Sequence, residues 1–227
     1  NENDIFRIPE WARGAFAYQI FPERFCNGEA ANDPEGTEVW GSVPTRENFM
    51  GGDLQGILDR VGYLKDLGVD MVYLNPIFKA RSNHKYDTID YMSIDPAFGD
   101  IDTFRQLVDE LHRYGIRVLL DGVFNHCGHL FPPFQDVLEK GEKSRYREWF
   151  YIEDFPVDMD RINYECFAEY PQMPKLRLSN PEARDYIFKV GRYWIEAADI
   201  DGWRMDVADD IDYTFWQIFR REMKSIK

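Results

Sequence analysis

Arg204 and Asp206 lie two residues apart in the segment Asp201-Gly-Trp-Arg-Met-Asp-Val-Ala-Asp-Asp-Ile-Asp212, whose first half reads as an apolar strand. Side chains at positions i and i+2 of a strand share one face. Gly202, Arg204 and Asp206 are therefore expected to point one way, and Trp203, Met205 and Val207 the other, against whatever packs behind the strand. A buried carboxylate beside a guanidinium stays ionised, because the neighbouring positive charge outweighs the cost of desolvation. An ionised, oriented aspartate can act as a nucleophile. The same two residues would equally serve as a structural ion pair fixing a strand end. A second apolar run, Arg117-Val-Leu-Leu-Asp-Gly-Val-Phe-Asn-His126, also ends in polar groups, with Asp121, Val123 and Asn125 on one face.

The elements that must position these residues alternate. Ala15–Ile20 reads as a strand, Asp53–Leu67 as a helix with Ile57, Val61 and Leu64 on one stripe and Gly68 as its stop, and Asp70–Asn75 as a second strand. Asp102 is expected to cap a helix carrying Phe104, Leu107, Val108 and Leu111, which Gly115 ends before the strand from Arg117 to Phe124. From Cys127 to Leu178 the period breaks into Pro- and aromatic-rich sequence too long for an ordinary loop, and such an insertion is usually functional. Regularity returns at Asn180-Pro181, a helix start with Ile187, Val190 and Trp194 on one face. The charged strand follows, then a last helix capped by Asp212 and carrying Phe215, Phe219 and Met223.

Strand-helix alternation implies a parallel sheet, either open and doubly wound or closed as a barrel. An open dinucleotide-binding sheet would want a G-x-G-x-x-G turn after its first strand, and Gly51-Gly52-Asp53 sits too far along to supply it. A barrel needs eight strands and about 250 residues, with its chemistry at the C-terminal ends of the strands. The expected fold is α/β, a partial (β/α)8 barrel of about four units. Residues 1–126 would form the first three units, 127–178 an insertion after the third strand, and 179–227 the fourth unit.

The 227 residues are 44% hydrophobic and 16% aromatic, which marks an ordered globular protein. The aromatics fill a core or line a cleft that stacks sugar rings; composition does not separate the two. A formal charge of −14 argues against nucleic-acid and anionic-membrane partners, which call for a basic surface. No apolar run reaches the length of a membrane span, and Asn1-Glu-Asn-Asp-Ile5 lacks the basic-then-apolar layout of a secretory signal. Cys26, Cys127 and Cys166 are widely spaced and odd in number, read as reduced thiols of a cytoplasmic protein.

Four motifs, in order along nearly the whole chain, resemble the alpha-amylase family of glycoside hydrolases, and within it the cyclomaltodextrinase, neopullulanase and maltogenic amylase group. They are Asn83-His-Lys-Tyr-Asp-Thr88, Asp121-Gly-Val-Phe-Asn-His126, Met173-Pro-Lys-Leu176 and Gly202-Trp-Arg-Met-Asp-Val-Ala208. The resemblance implies that Asp206 is the nucleophile of a retaining glycosidase and that Arg204 holds it ionised and oriented. Asp121 would orient Arg204, with Asn125 as structural support; Tyr86 would stack on the sugar beside the scissile bond, and His126 and His84 would bond its hydroxyls. It also implies a structural calcium loop drawn from Asn27, Glu29, Asn32, Asp33, Gly51 and Asp53, since calcium takes carboxylate, amide and carbonyl oxygens. The same stretch reads independently as a turn-rich loop with Asp53 as a helix cap.

Two departures stand out. Glu29 occupies a position where the group favours Asp, and Arg177 follows the Met-Pro-Lys-Leu motif where the group usually has Asn. The resemblance further implies a general-acid Glu ending a fifth strand and an Asp ending a seventh, and neither falls within the 227 residues. Glu222 is expected in the last helix and is not promoted to that role. The polypeptide on its own is therefore expected to be inactive, to bind an alpha-glucan oligosaccharide or cyclodextrin, and to self-associate through its open sheet edges. The alternative is a non-catalytic carbohydrate-binding or assembly relative of the family.

Overall fold

The structure is a computed structural model that describes residues 8–227; the signal-peptide reading of Asn1–Ile5 falls outside them. Four parallel strands form the main sheet in chain order: β1 (Ala17–Ile20), β2 (Met71–Leu74), β5 (Arg117–Gly122) and β6 (Gly202–Met205). A short antiparallel hairpin, β3 (Phe78–Ala80) and β4 (Thr88–Ile94), follows β2. The helices are α1 (Pro22–Phe25), α2 (Leu54–Asp59), α3 (Val61–Asp66), α4 (Ile101–Arg113), α5 (Pro132–Lys140), α6 (Pro181–Ala198) and α7 (Tyr213–Lys224). Helix α2 lies against α4, α4 against α6 and α6 against α7, so the helices keep the order of the strands.

Register is what brings the charged residues together. The β5/β6 ladder pairs Leu119 with Gly202 and Asp121 with Arg204, so two side chains far apart in sequence become neighbours at the C-terminal end of the sheet. The apolar stripes read from the sequence are all inside: Phe104, Leu107, Val108 and Leu111 of α4, Ile187, Val190 and Trp194 of α6, and Phe215, Phe219 and Met223 of α7. Trp194 also stacks on Phe78 at 5.2 Å and donates to the Tyr91 carbonyl at 2.8 Å, tying α6 to the hairpin.

Several local expectations are corrected. The helix expected over Asp53–Leu67 is two helices, because at Arg60 (φ −109°, ψ 10°) the N–H bonds the Ile57 carbonyl three residues back and tightens the last turn of α2. Asp100, not Asp102, caps α4, since its carboxylate accepts from the Thr103 N–H at 2.8 Å; Asp102 sits in the first turn. Strand β5 stops at Gly122, so Val123 and Asn125 do not continue the face of Asp121. Strand β6 stops at Met205 and Val207 turns left-handed (φ 48°), so Val207 does not share the back face of Trp203 and Met205. As the last strand of the sheet, β6 is half-buried throughout rather than buried. The hairpin and α5 had no reading in the sequence. Residues 127–178 otherwise hold short 3-10 turns and isolated bridges such as His126–Lys175 and Cys166–Pro174.

The loop before α2 is clamped to it backbone against backbone. A Cβ on Gly56 would lie 1.9 Å from the Cys26 carbonyl oxygen. Gly to Ala within a helix ordinarily gains stability by roughly 0.5–1 kcal/mol. Here Gly56→Ala is predicted to lower stability by about 2 kcal/mol, through overpacking against backbone that cannot rotate away. Urea unfolding measures it, and a gain in midpoint would refute the contact.

Candidate functional site

The centre of the site is Arg204. Its Nη1 donates to Asp121 Oδ1 at 3.0 Å and Oδ2 at 3.2 Å, and to Asp206 Oδ1 at 2.7 Å. Asp121 is fully buried, while Asp206, one residue past β6, has a side chain 14% exposed. The Asp206 N–H still donates to the Gly122 carbonyl at 3.2 Å, extending the ladder by one bond and fixing the carboxylate at the strand end. Burial alone would lower the basicity of Arg204, but Asp121 and Asp206 outweigh it and hold the guanidinium ionised. The Tyr73 ring lies beneath it, 5.8 Å from the guanidinium carbon.

Burial pushes the Asp121 carboxyl up to about 6, against the pull of Tyr86 and Arg204. Its second contact is the Tyr86 hydroxyl, which donates to Oδ2 at 2.8 Å. That hydroxyl meets the Asn75 amide at 3.5 Å, and Asn75 accepts from Gln19 at 2.7 Å. A single chain of polar contacts thus runs from β1 to the end of β6 through Gln19, Asn75, Tyr86, Asp121, Arg204 and Asp206. Sequence reasoning missed Gln19, Tyr73 and Asn75. The only signal was that Asn75 closes an apolar strand with an amide, as Asp121 closes its own with a carboxylate.

The three remaining expected residues gather on the loop side. His84 packs on Tyr86 with ring centroids 5.8 Å apart. Its Nδ1 accepts the Tyr86 N–H at 3.1 Å, and burial holds its basicity down, so the neutral ring carries its proton on Nε2. His126 is buried and stacked on Phe167 at 4.9 Å, and burial pushes it down to about 4. Its Nε2 has no protein partner, and neither does Oδ1 of the equally buried Asn125. A hollow of about 990 Å³ opens beside His84 and Asp87 with Trp40, Arg46, Met50 and Phe167 on its walls; Asp121 and Asp206 do not line it. Met173 also lines the hollow, whereas Arg177 turns to Glu148 at 3.0 Å. Glu222 bonds Arg192 at 2.7 Å between α7 and α6, away from the strand ends.

The candidate calcium residues share one loop but play different parts. Asp53 is fully buried and spends both oxygens on the N–H groups of Gly28, Glu29 and Gly56 and the Asn32 amide, as cap of α2 and hub of the loop. Glu29 accepts the Ala31 N–H at 3.1 Å. Asn27 donates to Asp33 at 2.7 Å, and both press on Gly51, where a Cβ would lie 2.4 Å from each. Asn32 Oδ1 is buried without a partner. Among the described residues no three His, Cys, Asp or Glu side chains cluster as a metal centre. The oxygens nearby are the partnerless Asn32 Oδ1, the carboxylates of Glu29 and Asp33, each already accepting one hydrogen bond, and backbone carbonyls, the type of donor a hard cation takes.

Comparison with known proteins identifies the family. The model of the alpha-amylase catalytic domain matches residues 19–222. The chain is 55% identical, over its whole length, to a maltogenic alpha-amylase of Bacillus acidopullulyticus and 56% identical to neopullulanase 2 of Thermoactinomyces vulgaris, spanning 39% of each. Among solved structures, a cyclomaltodextrinase superposes with a TM-score of 0.94 at 53% identity, covering all of this chain and 40% of that one. The cyclic alpha-maltosyl-(1→6)-maltose hydrolase of Arthrobacter globiformis, in complex with maltose, gives 0.92 at 46% identity, covering 96% of this chain and 50% of that one. The chain therefore spans about two-fifths of the length of the curated relatives it matches, and it belongs to the alpha-amylase family of glycoside hydrolases.

Proposed function

We propose that this chain supplies the nucleophile side of a retaining active site that hydrolyses alpha-1,4-glucosidic bonds in cyclodextrins, pullulan or starch. The observation that carries the reading is one guanidinium nitrogen bonded to both Asp121 and Asp206 at the C-terminal end of adjacent parallel strands. Retaining hydrolysis needs one carboxylate to attack the anomeric carbon and one carboxylic acid to protonate the departing oxygen, about 5–5.5 Å away. Asp206 takes the first role: its carboxylate forms the bond to the sugar as the glycosidic bond breaks, and water later releases the sugar. Arg204 aims that carboxylate through its hydrogen bond, and Asp121 keeps Arg204 in place. Tyr86 would offer a ring face to the sugar, and the neutral rings of His84 and His126 would bond its hydroxyls, His126 through a buried Nε2 that has no protein partner.

The four strands are read as the first half of an eight-stranded barrel, with residues 1–126 as three units, 127–178 as an inserted domain walling the cleft, and 179–227 as the fourth. The acid would come from the remaining strands, so residues 1–227 alone are inactive on this account. The two ends of the sheet and an aromatic hollow of about 680 Å³ beside β6, walled by Trp203, Met205, Trp216 and Phe219, favour self-association of the isolated chain. Among the described residues no helix is long and apolar enough to cross a membrane. A relative 52% identical is an intracellular maltogenic amylase of Bacillus subtilis, and the three thiols here are unpaired; both support a cytoplasmic protein. Calcium, bound by Asn27, Asn32, Asp33 and the backbone at Gly51 and supported by Glu29 and Asp53, would cross-link the loop before α2.

Three outcomes are expected. Titration calorimetry of residues 1–227 with maltotriose should show binding without turnover, and in the complete enzyme Asp206→Asn should lower kcat by at least about 10⁴-fold. Hydrolysis by the isolated chain, or near-normal kcat in the variant, would sink the assignment. Second, His126 has a folded pKa of about 4 against 6.5 unfolded. Its contribution to stability is whole above pH 6.5 and is lost as pH falls towards 4, on the order of 3 kcal/mol. His126→Gln should remove its share of that slope from a pH series of urea melts, leaving the same-direction contributions of His84 and His129 and the opposite one of Asp121, whose raised pKa favours the folded state as pH falls. Third, a chelator should lower the melting temperature and added calcium restore it; light scattering on the same sample should find assemblies, and a monodisperse monomer at micromolar concentration would contradict self-association.

A further inference from the structure

The loop between β3 and β4 alternates between anchors and presented rings. Asn83, Lys85 and Asp87 are buried, at 4%, 2% and 9% exposure, while His84 and Tyr86 between them are half-buried, His84 on the wall of the hollow and Tyr86 reaching Asp121. Two of the anchors are explained by ordinary contacts. Asn83 donates to the carbonyls of Arg46 and Asn48 at 3.0 and 2.8 Å, and Asp87 accepts from the Ser82 N–H and hydroxyl.

Lys85 is different. It stands at φ 62°, in the left-handed region that side chains avoid and glycine favours. A lysine is almost never fully buried unless paired. Its Nζ lies 2.8 Å from Asp95 Oδ2, with both side chains under a tenth exposed, and 3.4 Å from the Ala80 carbonyl. The rings of Phe98 and Phe49 close the ammonium in at 5.2 and 5.9 Å. Asp95 is itself fixed, accepting from Ala80 N–H and Ala97 N–H at 3.0 Å each. The pair therefore ties an unfavourable backbone conformation to both strands of the hairpin.

That backbone lies directly between the two rings. The Tyr86 N–H donates to His84 Nδ1, and the Tyr86 hydroxyl donates to Asp121, which holds Arg204. Any relaxation of Lys85 towards ordinary φ would turn His84 and Tyr86 together and loosen the last contact of Asp121 on that side. An apolar pair of similar volume is often as stable as a buried ion pair, so stability alone does not account for it.

We propose that Lys85, through its buried ion pair with Asp95, is the positioning residue that sets the rings of His84 and Tyr86 against the Asp121–Arg204–Asp206 cluster; the proposal rests on reading those rings as the sugar-facing wall. The test is the double variant Lys85→Met/Asp95→Asn in the complete enzyme, which removes both charges and keeps an acceptor for one of the two backbone N–H groups that Asp95 holds. It should melt within a few degrees of the parent, yet lose about tenfold or more in kcat/KM on maltotriose, and its crystal structure should show the Tyr86 hydroxyl out of hydrogen-bonding distance of Asp121. Lys85→Gly, which tolerates the left-handed backbone but lacks the ammonium, should show the same loss and covers the case in which the double variant does not fold. Unchanged kcat and KM with the rings in place would overturn the proposal, whatever the change in melting temperature. If the parent hydrolyses and binds no glucan, the sugar reading fails, and the ring positions in the variant structures still decide whether Lys85 sets them.

Discussion

The arrangement of this protein turns on one guanidinium held between two carboxylates. Arg204 can reach both Asp121 and Asp206 only because the β5/β6 register sets Asp121 beside Arg204 and because β6 ends one residue before Asp206. A one-residue slip of a strand would send its side chains to the opposite face. The apolar layers behind the sheet, α4, α6 and α7 with Trp194 and Phe219 at their centre, are what make that register costly to change. Packing and chemistry are thus linked: the helices fix the strands, the strands fix the ion pairs, and the ion pairs fix the carboxylate that is exposed to a ligand.

The electrostatics divide along the same line. Asp121 lies out of reach of water, and its charge is carried by Arg204 and Tyr86 rather than by solvent. Asp206 retains some exposure, which the proposed attacking role requires. Around them the imidazoles are kept neutral by burial, so they present hydrogen-bond partners rather than additional positive charge. Such a surface suits a neutral, hydroxyl-rich ligand, in keeping with a chain of net charge −14.

Much of this was legible in the sequence because strands report their faces with a period of two. Arg204, Asp206 and Asp121 stood at the ends of apolar runs, and the helical stripes of α4, α6 and α7 were plain. What was not legible depended on contacts between segments with no period of their own. Strand β3 has three residues and a shifted register, too little pattern to announce a hairpin, so the meeting of Lys85 with Asp95 had no sequence signal. Gln19 and Asn75 read as ordinary polar residues at strand ends until Tyr86 is seen to join them to Asp121. Asp100 and Asp102 were equally good caps by type, and only the direction of the Thr103 N–H chose between them.

The most direct test is to trap the sugar on the enzyme. A maltosyl fluoride with an electron-withdrawing ring substituent needs no proton on its leaving group, so it reports the nucleophile independently of the general acid, and the substituent slows release of the covalent intermediate. Peptide mass spectrometry of the complete enzyme after this treatment should find the added sugar on the peptide containing Asp206 and on no other carboxylate. A label on a different residue, or turnover of the fluoride with inversion and no covalent adduct, would contradict the account.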